Sequence, residues 1–136
     1  MSRIEHLEGK TVAIIGLGVS QVDFAIGLEN SREWDEVWCI NSAGLVYPAD
    51  RIFALDPASR FFDSNDAGKQ THAMKKLMST SDVPIYTCEL DPRIKNAVRY
   101  PVEDVCNATK CAYMNTTVAF AIAYALYNKV GRIDLF

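Results

Sequence analysis

The chain has 136 residues, of which 49% are hydrophobic and 23% are charged, and its net charge is −3. This length and composition fit one globular domain with a buried core and exclude a disordered chain. The negative charge excludes a general nucleic-acid binder, and no apolar run suggests a membrane span or a signal peptide, so we expect a cytoplasmic protein without a membrane partner.

Strand and helix patterns alternate along the chain. Apolar runs bounded by turn residues predict strands, and apolar residues at helical spacing predict helices. Ser20 is a suitable N-cap for the first helix. The predicted strands are residues 10–16, 36–41, 51–55, 84–87, a short one around 98–102, and 132–136. The predicted helices are residues 20–30, 66–79 and 115–128.

This alternation predicts a single α/β domain over residues 1–136, with a Rossmann-like open, mostly parallel sheet flanked by helices. The helix at 115–128 is apolar almost all round, which indicates burial against the sheet. Residues 133–136 have the composition of a core strand, and the chain stops there. Ligands of open sheets bind beyond the carboxyl ends of the strands, so a following segment would reach the site. A truncated protein and a complete one are therefore equal alternatives.

A turn with the sequence Gly16-Leu17-Gly18-Val19-Ser20 joins the first strand to the first helix. Glycines let the backbone approach a ligand closely, and the first N–H groups of the following helix are free to bind an anion. We therefore take Gly16, Gly18 and Ser20 as candidate phosphate-binding residues. A purely structural strand-to-helix turn is an equal alternative.

Two departures separate this turn from the dinucleotide-binding fingerprint. Gln21 stands where that pattern has its third glycine, and Asn41 ends the second strand where an acidic residue is expected. The Walker pattern fails as well, because no Gly-Lys-Ser/Thr follows the turn. Asn41 and Ser42 are candidate ligand-binding residues, since an amide can donate to a phosphate and accept from a ribose hydroxyl. The alternative is that they close the strand with a side-chain turn.

Two further positions carry polar side chains at expected strand or helix ends. Asp56 ends the third strand; it is suited to binding a metal such as Mg²⁺, orienting a sugar hydroxyl or capping a turn. Asn115, Thr116 and Thr117 open the longest apolar helix, either as plain caps or as a positive helix start facing the site. Tyr113 adds a hydroxyl beside them.

Together these motifs resemble the bacterial sialyltransferases that use CMP-sialic acid. Those enzymes have Gly-x-Gly-Pro-Ser after the first strand, an asparagine after the second, and a Thr-Ser-Gly-type turn that opens a helix. The matching residues here are Gly16, Gly18 and Ser20, then Asn41, then Thr116 and Thr117. The arrangement is also similar to the 6-hydroxymethylpterin diphosphokinases, and it is closest to short uncharacterised bacteriophage proteins, whose localisation would be the host cytoplasm.

The chain departs from that family at the residues that would complete catalysis. Val19 replaces the proline, no histidine follows Thr117, and the Gly-x-Asp loop after the last strand is absent. The resemblance implies a nucleotide or nucleotide-sugar ligand and transfer of a glycosyl or diphosphate group, with Asp56 or a missing segment as base. The alternative is a phage accessory protein that binds nucleotides without turnover. Oligomeric state stays open, with a homodimer as one alternative. The aromatic residues Trp34, Trp38 and Tyr47 suit an interface as well as a core.

Overall fold

The computed structural model describes residues 3–29, 33–111 and 114–136, which build a six-stranded, all-parallel sheet flanked by helices. The strands are β1 (Thr11–Ile15), β2 (Glu36–Ile40), β3 (Arg51–Phe53), β4 (Ile85–Thr87), β5 (Ala97–Arg99) and β6 (Arg132–Leu135). The helices are α1 (Gln21–Glu29), α2 (Ser59–Phe62), α3 (Gln70–Thr80), α4 (Val102–Thr109) and α5 (Thr117–Tyr127). Short 3-10 helices cover Glu5–Leu7 and Asn41–Leu45. The predicted Rossmann-like α/β class is confirmed.

The strand order is β5-β4-β3-β2-β1-β6, so the order reverses at β1. Strands β1 to β5 extend the sheet in one direction, and the chain then crosses back to place β6 on the other side of β1. Open α/β sheets bind ligands beyond the carboxyl ends of their strands, at such a reversal point. The turn that follows β1 therefore occupies the position where a ligand is expected.

The two faces of the sheet have separate cores. On the α3 face, α1, α2 and α3 cover the sheet, and Phe24, Phe61 and Met74 are buried there. On the α5 face, α4 and α5 cover an aromatic cluster in which Trp38, Phe53, Tyr86, Tyr100 and Tyr124 pack ring against ring. This confirms that α5 is buried against the sheet, because five of its residues are buried.

The region from residue 88 to 109 is more regular than its sequence suggests. The strand predicted around residues 98–102 ends at Arg99, and Val102 opens an eight-residue helix instead. Pro101 explains the change, since it offers no N–H to a ladder and is well suited to a helix start. Glu103 and Asp104 then stabilise the first turn of α4.

Helix α1 buries far less than its apolar composition suggests. Phe24 is fully buried against Trp34, Tyr47 and Phe136, whereas the apolar residues at positions 22, 26 and 28 are about half exposed. The described part of this helix ends at Glu29. Trp34 and Tyr47 therefore contribute to the core around Phe24.

Candidate functional site

The turn after β1 offers a row of unused backbone donors. Among the described residues, the N–H groups of Leu17, Gly18, Val19 and Ser20 have no hydrogen-bond partner, and all four residues are exposed. They precede α1, whose N-terminus carries a partial positive charge. Consecutive free N–H groups at a helix start form an anion-binding concavity.

The two glycines of this turn play different parts from those the sequence predicts. The Gly16 N–H donates to the carbonyl oxygen of Phe136 at 2.9 Å, so this donor is used within the sheet rather than offered to a ligand. Gly18 faces open space, because a Cβ added there would contact only Ser20 Oγ at 4.0 Å. The backbone angle φ is not positive at either Gly16 or Gly18. The open side of Gly18 leaves room for a ligand, but the backbone geometry itself does not require glycine at this position.

Asn41 lies directly after β2 in a strained and unsatisfied state. Its φ is 49°, a left-handed conformation that asparagine tolerates better than most residues. Its side-chain oxygen is buried without a hydrogen-bond partner. Buried polar atoms are nearly always bonded, so an unbonded one is a candidate ligand contact. Strain of this kind concentrates at functional sites.

A cavity of about 130 Å³ connects the carboxyl ends of β1, β2 and β3 on the α3 face. It brings together Leu17, Asn41 and Asp56, as the sequence predicts for the last two. The other lining residues come from α2, α3 and the loop between them: Arg60, Phe61, Ala67 and Gln70. The cavity therefore combines an amide, a carboxylate and a guanidinium beside the donor row.

Arg60 is a charged residue of the cavity that the sequence prediction missed. Its Nη1 donates to Asp56 Oδ2 at 2.9 Å, and both side chains are somewhat less than half exposed. Because exposed pairs of this kind contribute little to stability, either partner is free to exchange for a ligand. The four-residue spacing from Asp56 to Arg60 was the available signal, since side chains four residues apart meet on one side of a helical turn.

Ser42 does not line the cavity but is hydrogen-bonded to a residue that does. Its hydroxyl is hydrogen-bonded to Gln70 Oε1 at 2.6 Å, which ties the segment after β2 to the start of α3. Gln70 itself lines the cavity. Ser42 thus positions a neighbour of the site.

The start of α5 lies at the same edge of the sheet but on the opposite face. Thr116 is the N-cap, and its side chain accepts a hydrogen bond from the Ala119 N–H at 3.1 Å, as predicted for a cap. Asn115 is exposed and Thr117 half-buried, and neither lines the 130 Å³ cavity. Tyr113 lies outside the described residues.

Two more buried oxygens at this edge lack partners among the described residues. They are the hydroxyls of Thr71, in the first turn of α3, and Thr87, the last residue of β4. Together with Asn41, they make the carboxyl edge the region where burial and unsatisfied polarity coincide.

The opposite edge carries a fully bonded polar network around Glu36. Its carboxylate accepts from Arg51 Nε at 2.8 Å, from Trp38 Nε1 at 2.7 Å, and contacts His6 Nε2 at 3.0 Å. Burial acts to raise the pKa of Glu36, but the hydrogen bonds from Arg51, Trp38 and His6 outweigh it and hold that pKa below its ordinary value. Arg51 also donates to Tyr86 Oη at 2.8 Å. This network joins β2, β3 and β4 and belongs to the core of the α5 face.

The cysteines behave as unreactive thiols where the structure shows a shift. Burial, assisted by Asp50, raises the pKa of Cys39 to about 12. Burial and Glu89 also raise the pKa of the half-buried Cys88.

Within the described residues, no three His, Cys, Asp or Glu side chains are arranged to hold a metal ion, and Asp56 supplies a single carboxylate to the cavity. No helix of the described ranges has both the length and the apolar composition needed to cross a membrane.

Comparison of the chain with protein-family models, with curated proteins and with solved structures gives no significant match.

Proposed function

We propose that the carboxyl edge binds the phosphate-bearing part of a nucleotide or nucleotide sugar. One observation carries this proposal: the free N–H row at 17–20 lies next to a cavity that both Arg60 and Asn41 line, and the amide oxygen of Asn41 is buried without a hydrogen-bond partner among the described residues. Backbone donors at a helix start and a guanidinium both favour a phosphate. The Asn41 oxygen is an acceptor and suits a ribose hydroxyl of the same ligand.

The size of the cavity limits how much of the ligand it encloses. Pockets that enclose a whole small molecule measure about 300–1,000 Å³, and this cavity measures about 130 Å³. The cavity therefore holds one end of the ligand. The remainder extends along the exposed turn at Gly18, where no side chain blocks the surface.

The resemblance to sialyltransferases and pterin diphosphokinases favours a transfer reaction of a glycosyl or diphosphate group. Such reactions depend on positioning and on stabilising the charge that develops on a leaving phosphate. The start of α5 at Asn115, Thr116 and Thr117 is a partially positive helix end at the same edge but outside the 130 Å³ cavity, so it would serve the second task for a part of the ligand that extends beyond that cavity. Asp56 is the carboxylate of the cavity that could act as base or hold Mg²⁺ once Arg60 turns to the phosphate.

The second candidate function is nucleotide binding without turnover, as in a phage accessory protein. The pairing of Asp56 with Arg60 favours it, because the carboxylate oxygen Oδ2 of Asp56 already accepts a hydrogen bond from Arg60 and is not free for a substrate hydroxyl. The two histidines do not line the cavity: His6 contacts Glu36 at the other edge, and His72 is exposed on α3.

Calorimetric titration with CMP, CDP, ATP, GTP and CMP-sialic acid tests the binding proposal. We expect at least one of them to bind, and we expect Arg60→Met to weaken that binding about tenfold or more through loss of a charge-assisted contact. Arg132→Met is the matched control, because Arg132 is also exposed and paired with a carboxylate, Asp134, but on β6. Binding of none of these nucleotides, or equal affinity of both variants, would overturn the proposal.

Gly18→Trp gives a second, steric test. The new ring would cover the open side of the turn, so nucleotide binding should be lost while the thermal midpoint stays close to that of the wild type. Unchanged affinity would mean that the ligand does not cross this turn. Release of free nucleotide from a bound donor then separates the transferase from the non-catalytic binder.

A further inference from the structure

A second and larger cavity, of about 520 Å³, lies beyond the carboxyl ends of β4 and β5. It is on the α5 face, whereas the 130 Å³ cavity is on the α3 face, and the two share no lining residue. Its volume falls within the range of pockets that enclose a small molecule. Residues of two strand ends and of the first turn of α4 surround it, among them Cys88, Arg99, Tyr100, Pro101, Val102 and Glu103.

Arg99 is unusual among the arginines that the structure describes. The others, Arg3, Arg51, Arg60, Arg93 and Arg132, each donate a hydrogen bond to a carbonyl or carboxylate oxygen. Arg99 makes neither a hydrogen bond nor an ion pair with any described residue, although it lines a cavity.

Glu103 lines the same cavity and is likewise without a partner among the described residues. It lies four residues after Arg99, yet the two side chains do not pair with each other. A free cation and a free carboxylate are thus held apart around one space. An anionic group of a ligand can bind the first while a hydroxyl of the same ligand donates to the second.

The floor between these two charges is apolar and rigid. Tyr100 is 2% exposed, and its hydroxyl donates to the carbonyl oxygen of Phe120 at 2.7 Å, which fixes the ring beneath the cavity. Pro101 and Val102 add apolar surface beside it. Cys88 completes the wall with a half-buried thiol, whose raised pKa keeps it uncharged near neutral pH. Such a floor suits the carbon skeleton of a small ligand.

We infer that this cavity is a separate binding site for a small hydroxylated acid, such as a sugar phosphate or a sugar acid. Its phosphate or carboxylate binds Arg99, and its hydroxyls donate to Glu103. Glu103 and Asp104 both line the cavity, and their carboxylates disfavour a bare inorganic anion, so the hydroxylated skeleton contributes to selectivity. Binding here does not depend on the proposed nucleotide site. Only its use as the acceptor site of a transfer reaction would rest on that proposal.

Titration of ¹⁵N-labelled protein with glucose 6-phosphate, followed by NMR at the Arg99 Nε–H, tests the site. Glucose and inorganic phosphate, each titrated alone, represent the two halves of this ligand. We expect glucose 6-phosphate to bind with a Kd in the millimolar range or below, at least about tenfold more tightly than either half. Absence of a saturable shift at Arg99, or equal affinity for inorganic phosphate, would overturn the inference.

Variants assign the contacts and separate this site from the nucleotide site. Arg99→Met should abolish glucose 6-phosphate binding, followed at the backbone amides of Val102 and Glu103. Glu103→Gln should weaken glucose 6-phosphate binding several-fold but strengthen the weak binding of inorganic phosphate, because a repelling carboxylate is removed. Arg132→Met is the control for loss of an arginine. Arg99 and Glu103 are both exposed, so we expect their variants to fold. Arg60→Met should leave glucose 6-phosphate binding intact. Full binding by Arg99→Met would overturn the site whatever the nucleotide titrations show.

Discussion

At one edge of the sheet Glu36 is buried and bonded to Arg51, Trp38 and His6. At the other edge Asn41 is half-buried, and its buried amide oxygen has no partner among the described residues. Both residues belong to or follow the same strand, β2, at its opposite ends. The difference therefore does not reflect separate regions of the chain. It reflects which end of a parallel sheet contributes to stability and which end is left open for a ligand.

The physical basis of the contrast is the cost of burying a polar group. A buried polar group that is fully bonded can stabilise the fold, whereas an unbonded one costs about 1–3 kcal/mol. Asn41, Thr71 and Thr87 all carry that cost at the carboxyl edge. A ligand that supplies the missing partners recovers it upon binding. Changes at the Glu36 edge should therefore affect stability alone, and changes at the Asn41 edge should affect binding with little cost to stability.

The largest effect is expected from Glu36→Gln. This change removes the negative charge from a pair in which the Arg51 side chain is 15% exposed, and leaves a mostly buried cation without its counter-charge. Breaking such a pair costs about 3–5 kcal/mol. Urea unfolding measures the loss, with Asp82→Asn as the control, because Asp82 pairs with Lys95 on the exposed surface. If the two variants are equally stable, the Glu36 network does not stabilise the fold.

The pH dependence of stability should follow from the same residue. The folded pKa of Glu36 is lowered below its ordinary value of 4.5, so the folded state binds this proton less readily than the unfolded chain. Its contribution is complete above pH 4.5 and is lost as the pH falls through the folded pKa. The unfolding free energy of the wild type should thus decline more steeply below pH 4.5 than that of Glu36→Gln. Parallel slopes would contradict this assignment.

A smaller effect of opposite sign is expected from Asn41→Gly. Glycine adopts the left-handed conformation at a φ of 49° without strain, and the unbonded amide disappears. We expect a gain of about 1 kcal/mol in unfolding free energy, together with weaker nucleotide binding. Thermal unfolding and calorimetric titration of the same preparation measure both. A destabilised variant would show that Asn41 supports the fold rather than the site.

The smallest effect is expected from Thr87→Val, which replaces a buried hydroxyl by a methyl group of similar shape. That hydroxyl lies beside the Cys88 thiol but has no hydrogen-bond partner of good geometry among the described residues. Stability should rise by up to about 1 kcal/mol. Thr116→Val is the matched control at the same edge, since the Thr116 hydroxyl caps α5, and its loss should cost about 1 kcal/mol. A loss of stability in Thr87→Val would indicate that its hydroxyl has a partner such as water.

Several parts of the site could be predicted from the sequence because they depend on strand ends. Asn41 and Asp56 follow apolar runs, and parallel strands bring such positions to one edge, where the cavity joins them. Arg60 and Gln70 were missed because they reach the cavity from helices whose packing on the α3 face is not encoded by a local pattern. Helix α4 was not predicted for a similar reason, because the apolar residues around Pro101 fit either a strand or a helix start.

The sequence by itself determined the α/β class, the order of most elements and the turn at residues 16–20, since apolar periodicity and turn residues act over short distances along the chain. Only the tertiary structure decided how the polar groups are used. In the folded chain the Gly16 N–H donates a hydrogen bond to the Phe136 carbonyl oxygen, and Asp56 pairs with Arg60. The Asn41 amide oxygen has no partner among the described residues, and Arg99 and Glu103 line one cavity without pairing. Whether a polar group is bonded depends on what the rest of the chain packs against it, and local sequence does not specify that packing.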